Sequence, residues 1–235
     1  MLRALLLTAV LSTPIAAQAT PFYQNDFEIA AGPEWSNTSL SVTPVDGRQF
    51  LGMLGGGTTS LTLNGVPDGQ AVSLSFDLFI INTWDGSQSV DPLSDPIHSV
   101  GPDVWSFSAD GGAPLLSTTF SVFDGTKSMH SFRNYPQAYP GSYPADSFPA
   151  RSGAAENDSL GYFEGDSVYH LAFNFNHTSG PMVLNFAGAF PVVDPEEWGI
   201  DNIVVSVPEP SSITLVASAW FGFVFWAWGR RARIA

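Results

Sequence analysis

The sequence predicts an all-β domain, a two-sheet antiparallel β-sandwich of jelly-roll type, on three observations. Apolar and polar residues alternate at period two along much of the chain, which turns one face of each strand inward and the other outward. Turn-formers punctuate these runs, with 22 Gly and 18 Pro in 235 residues, above the roughly 12% average usage of the two. No stretch between residues 20 and 207 carries a helical period. With 44% apolar and 13% aromatic residues the chain can bury a core, which excludes an acidic disordered polymer.

At the N-terminus the single cation Arg3 precedes an apolar run over 4–11, then helix-breaking Pro14 and Ala17-Gln18-Ala19. A short apolar core followed by an A-x-A site predicts a secretory signal peptide over 1–19, cut by signal peptidase after Ala19. Residues 20–207 follow as one domain.

Within that domain the alternating positions are Leu61 and Leu63; Val72, Leu74, Phe76, Leu78 and Ile80; Trp105 and Phe107; Leu171, Phe173 and Phe175; Val183, Leu184 and Phe186; Ile203 and Val205. Turn signals separate them at Gly55-Gly56-Gly57, Asn64-Gly65, Pro67-Asp68-Gly69, Asp85-Gly86, Asp110-Gly111-Gly112, Asp124-Gly125 and Ser179-Gly180-Pro181. Two stretches break the pattern, 88–102 and 132–165. The second holds Tyr135-Pro136, Tyr139-Pro140 and Tyr143-Pro144, one pair every four residues. Two readings stand for these rings: a sugar-stacking platform on a polyproline-like rod, or packing of the loop onto its own sheet.

At the C-terminus Pro208-Glu209-Pro210 leads into an uncharged run over 213–228, then Arg230, Arg231 and Arg233. The prolines hold the chain extended, so a helix starts only after them. Sixteen helical residues span about 24 Å, short of a hydrocarbon core of about 30 Å, and Trp220, Trp226 and Trp228 extend that reach into the interface. The arginines place the tail on the cytoplasmic side. This tripartite end, over 208–235, resembles the PEP-CTERM sorting signal of bacterial exosortase substrates. The resemblance implies cleavage near Pro208-Glu209-Pro210 by a membrane exosortase. The passenger 20–207 would then reach the cell surface, outer membrane or extracellular polymer matrix, after transient anchoring in the inner membrane.

Charge and composition narrow the chemistry. The formal net charge is −14, and between residues 20 and 207 there are 21 acidic against four basic side chains, a net of −17. This disfavours a phosphate-binding surface, hence a nucleic-acid partner, and invites bound cations. No Cys is present, which excludes thiol catalysis, disulfides and Cys-ligated zinc. No G-x-S-x-G, H-E-x-x-H or P-loop motif occurs. His98, His130, His170 and His177 are scattered; Glu164, Glu196 and Glu197 qualify for glycoside hydrolysis by residue type only, and adjacent Glu196 and Glu197 point to opposite faces of a strand.

Two acidic groupings are candidate calcium sites. First and last strands of a jelly roll commonly lie together, so Glu28 and Asp201 are expected to meet; two carboxylates with backbone carbonyls suit a hard cation. With Asp46 they resemble the structural calcium site of jelly-roll carbohydrate-binding modules, which implies Glu28 and Asp201 as ligands. The other reading is that Asp201-Asn202 hydrogen-bonds a strand end. In the second grouping, Trp84-Asp85-Gly86 and Gly101-Pro102-Asp103 are expected to bring Asp85 and Asp103 to one end of neighbouring strands, with Asp77 and Asp91 nearby, as calcium ligands or as turn-forming Asx residues. The phrases around Trp84-Asp85-Gly86, Asp103-Val104-Trp105 and Trp198-Gly199-Ile200-Asp201 also resemble a recurring extracellular domain of PEP-CTERM proteins.

The sequence-level expectation is a non-catalytic exported surface or matrix protein; its alternative is a calcium-dependent carbohydrate-binding module using Trp84, Tyr135, Tyr139 and Tyr143 on extracellular polysaccharide, and a glycoside hydrolase ranks last.

Overall fold

The computed structural model describes residues 21–91, 95–99, 101–126, 133–190 and 196–207. The expected signal peptide with Ala17 and Ala19, and the tail with Pro208, Glu209, Pro210, Arg230, Arg231 and Arg233, lie outside the described residues. Among those residues the chain is all-β, with no helix long and apolar enough to cross a membrane.

The described residues form thirteen strands in the order β1 (Pro21–Asn25), β2 (Leu40–Val42), β3 (Gln49–Leu54), β4 (Gly57–Leu63), β5 (Ala71–Asn82), β6 (Val90–Asp91), β7 (Asp95–Ser99), β8 (Val104–Ala109), β9 (Leu116–Thr119), β10 (Glu156–Asn157), β11 (Asp166–Asn176), β12 (Met182–Ala189) and β13 (Glu196–Ser206). Seven form one antiparallel sheet in the order β10-β11-β5-β13-β3-β2, with β1 added on β13. Four form the other, β4-β12-β8-β9, and β6 with β7 makes a separate two-stranded ribbon. Gly55 and Gly56 carry the chain from β3 in the first sheet to β4 in the second.

The period-two pattern works as expected. In β5, Val72, Leu74, Phe76, Leu78 and Ile80 are buried on one face, and they share a core with Leu61 of β4, Phe107 of β8 and Leu184 of β12. One apolar cluster therefore joins the two sheets, a sandwich-like arrangement. Phe76 sits at its centre, with Phe186 edge-on at 5.3 Å between ring centroids and Phe173 stacked at 6.1 Å.

Strand β13 is central and paired on both sides. Its whole length runs along β5, while its other edge pairs first with β3 and then with β1. Its buried side chains change parity, from Trp198 and Ile200 to Ile203 and Val205. A register shift between Asp201 and Val204, with Asn202 at φ 51°, inserts the extra residue that makes the change. Without that bulge Ile203 and Val205 would face outward.

The outer face of the larger sheet is also covered at one end. Phe50, Phe79, Ile81 and Val168 form a second cluster under Leu160, so the end of β5 is buried on both faces. The carboxylate of Asp166 holds that cover down by accepting the N–H groups of Leu160, Gly161 and Tyr162 at 3.0, 3.1 and 3.1 Å.

Candidate metal centre

Three acidic side chains meet at the end of the sandwich where β5, β8 and β13 lie together. Asp85 follows β5, Asp103 immediately precedes β8, and Glu196 is the first residue of β13, paired with Asn82 at the end of β5. Each offers a carboxylate oxygen within 4.8 Å of the others, and among the described residues this is the one such group of three. Their residue exposures are 0%, 0% and 3%.

Local hydrogen bonds explain the convergence. The Trp84 indole is buried in the core and donates to the carbonyl of Glu197 at 2.8 Å, tying the loop after β5 to the start of β13. Asp85 N–H donates to Oδ2 of Asp103, and Asp103 N–H donates back to the carbonyl of Gly86 at 2.9 Å. Gly86 has a φ of +69°, and a Cβ there would stand 2.3 Å from the carbonyl oxygen of Pro136. No other residue fits without displacing the Tyr-Pro loop. Oδ1 of Asp103 is buried and has no hydrogen-bond donor. Burial, followed by the charges of Glu196 and Asp85, pushes the Asp103 carboxyl up to about 9, against the backbone donors of Asp85 and Gly86.

The expected meeting of Asp85 and Asp103 is present, but its geometry differs. Their strands are not neighbours in one sheet: β5 and β8 belong to opposite sheets, so the pair bridges the two layers. Asp77 lies elsewhere, and the side chain of Asp91 is outside the described residues. Glu196 was absent from the expected ligand set, although a readable signal pointed to it: it shares the inward parity of Trp198 and Ile200. Glu197, on the opposite face, accepts from Asn82 Nδ2 at 2.7 Å.

The Glu28, Asp46 and Asp201 grouping is arranged more loosely. β1 does pair with β13, and Glu28 is near enough for its charge to act on Asp201. Asp46 is exposed in the turn between β2 and β3 at φ 64°, and the three do not gather within 4.8 Å. Asp201 instead stands across from Asp77 on β5, and its Oδ1 accepts the N–H of Asn202 at 2.8 Å. Asp77 in turn takes Asn202 Nδ2 at 2.9 Å and meets His170 Nδ1 at 2.5 Å. Burial pushes Asp201 up to about 6, with the Asn202 N–H opposing the rise and the charges of Asp77 and Glu28 adding to it.

The aromatic candidates are mostly core. Trp84 is 0% and Tyr135 6% exposed, which corrects the expectation that they offer a ring face to sugar: a buried ring has no free face. Tyr139 is half-buried, packed on Phe120 and Tyr169 at 5.0 and 5.1 Å. The repeat has a structural use: the N–H groups of Tyr135, Tyr139 and Tyr143 donate to the carbonyls of Phe123, Thr119 and Ser117 at 3.0, 3.2 and 2.9 Å. The loop therefore lies along β9 and its continuation as an extra edge segment, and each proline, which has no donor, falls where none is required.

No protein-family profile matches the chain, and no curated protein matches it. Among solved structures it is similar to a family GH115 4-O-methyl-α-glucuronidase with specificity for decorated arabinogalactans, at 9% identity and a TM-score of 0.33. The match covers 86% of this chain and 20% of that one. The chain thus spans about one fifth of that enzyme's length, and at this TM-score the likeness carries no argument about fold or activity.

Proposed function

We propose that residues 20–207 form a non-catalytic jelly-roll β-sandwich, exported by the signal peptide 1–19 and sorted to the cell surface or extracellular polymer matrix. In this reading exosortase cuts at Pro208-Glu209-Pro210, while the run 213–228 holds the precursor transiently in the inner membrane. The observation that supports it best is the pairing of β1 with β13, in which Pro21 stands opposite Ser206. Both expected cuts fall just outside that strand pair, and the buried apolar residues run from Phe27 to Val205. A passenger trimmed there keeps its whole core, and its new ends stay tied into a sheet instead of fraying. The acidic surface suits a hydrated matrix, and the burial of Trp84 and Tyr135 weighs against the carbohydrate-binding alternative.

The test is intact-mass spectrometry of the full chain expressed in a bacterium that has an exosortase. The expected product is extracellular, begins at Thr20 and ends near Pro208-Glu209-Pro210, and a Glu209→Ala change leaves it in the membrane fraction. Unprocessed protein in the cytosol overturns the reading. Turnover of a labelled polysaccharide by the processed protein overturns its non-catalytic part, and retention on a polysaccharide column moves it to a carbohydrate-binding module.

A further inference from the structure

We propose that Asp85, Asp103 and Glu196 together bind one hard divalent cation, calcium, which clamps the two sheets at the end where β5, β8 and β13 meet. The inference stands apart from the export reading and rests on the site alone.

Three features of the site carry it. The ligands are all carboxylate oxygens, a donor set that suits calcium, magnesium or manganese and not softer metals. Their oxygens lie within 4.8 Å of one another, and a small closing movement of the side chains would put all three on one calcium at the usual bond length of about 2.3–2.6 Å, a demand less strict than the near-ideal octahedron at about 2.0–2.1 Å that magnesium needs. All three are buried, and neighbouring carboxylates out of water must either hold protons or share a cation.

A separate observation favours the cation. Asp103 splits its carboxylate: Oδ2 takes the Asp85 N–H, while Oδ1 is buried with no donor. A buried acceptor in that state is the exception in native proteins, and an ion is one partner that satisfies it. The space beside it is kept by Gly101, where a Cβ would lie 3.4 Å from Oδ1 and 2.3 Å from the carbonyl oxygen of Gln88. A side chain at that position would collide with the Gln88 carbonyl and shift the loop that carries Asp103.

The consequence is a cross-link made on folding. Glu196 belongs to the larger sheet and Asp103 leads into the smaller one, while Asp85 follows β5 and bridges to Ser121 just beyond β9, so an ion held by all three resists separation of the layers.

The full-length chain, purified in detergent and stripped with EDTA, is titrated calorimetrically with calcium, magnesium and manganese chlorides and melted in each. One calcium per chain is expected, with the melting temperature raised by about 5–10 °C at calcium about 100 times its Kd. Asp103→Asn and Glu196→Gln are each expected to weaken binding by more than about 100-fold, and Asp201→Asn to leave it unchanged. Terbium emission sensitised by tryptophan and quenched by calcium reads the same site in the unmutated chain, should a variant not fold. The proposal is overturned by the absence of heat, melting shift and terbium signal in the unmutated protein. It is overturned equally by a site that survives Asp103→Asn and disappears in Asp201→Asn. Processing of the chain in cells is unaffected by either result, so failure here is distinct from failure of the export reading.

Discussion

The side-chain carbonyl of Gln137 accepts the backbone N–H of Arg151 at 2.8 Å, joining two parts of the long Tyr-Pro loop through one fully buried amide. The same oxygen takes the N–H of Ser121 and the hydroxyl of Tyr169, and the amide nitrogen donates to the carbonyls of Tyr139 and Ser152. Gln137→Met keeps the volume and leaves these partners unmatched. With about 1–3 kcal/mol for each buried group left unsatisfied, the expected loss is about 3 kcal/mol or more. That is a fall in melting temperature of roughly 6–12 °C. A calorimetric scan checks it, and a loss below about 1 kcal/mol would show that the loop is not held by this residue.

Phe50 lies flat against glycines on two strands. A Cβ at Gly199 would stand 2.3 Å from its Cδ2, and one at Gly52 2.4 Å from its Cε2. Gly199→Ala is therefore expected to cost about 1–3 kcal/mol by overpacking. In a Phe50→Leu background the same change should cost at least about 0.5 kcal/mol less. Urea unfolding of the four proteins in the cycle decides, and strict additivity would exclude the contact as the cause.

Asp201 sets a pH dependence. Its folded pKa of about 6 lies above the unfolded value of about 3.9, so the folded state holds the proton more tightly. The contribution of Asp201 to stability then falls as pH rises through roughly 4 to 6 and is lost above. Burial drives the rise, the charges of Asp77 and Glu28 add to it, and the Asn202 N–H and Arg48 oppose it. Asp201→Asn should remove this descent, gaining on the order of 1–2 kcal/mol at pH 7 and nothing at pH 4. A gain of equal size at both pH values would refute the assignment.

Tyr139 is predicted to be a packing residue first. Its ring contacts Phe120 and Tyr169, and the bare Cα of Gly153 makes room for it, since a Cβ there would lie 2.8 Å from Cε1. Tyr139→Ala should cost about 2–3 kcal/mol, a partly buried aromatic truncation, with an expected drop in melting temperature of roughly 4–12 °C. A melt unchanged from the parent would return this ring to the ligand-binding reading.

Some of this was legible in the residues and some was not. The parity of Val72 through Ile80 told which side of β5 faces the core, and the same rule carried back from Trp198 points Glu196 inward. The switch of parity between Ile200 and Ile203 could be read only as two separate runs, because a bulge is a property of the paired strand and not of the residues alone. Gln137 and Arg151 gave no signal in a loop of tyrosines and prolines; both are polar residues whose burial depends on partners far away in the chain, such as Val122 for the Arg151 guanidinium.

By itself the sequence determined that the domain is all-β, where strands β4, β5, β8, β11, β12 and β13 fall, and which of their side chains face the core. Those properties follow from local backbone geometry and alternation within a few residues. Only the tertiary structure decided that β5 and β8 lie in opposite sheets, that β13 runs between β5 on one side and β3 and β1 on the other, and that Asp85, Asp103 and Glu196 share one buried corner. Alternation specifies a face but not a partner strand; partners are chosen by how the whole aromatic core packs, which brings positions 85, 103 and 196 together.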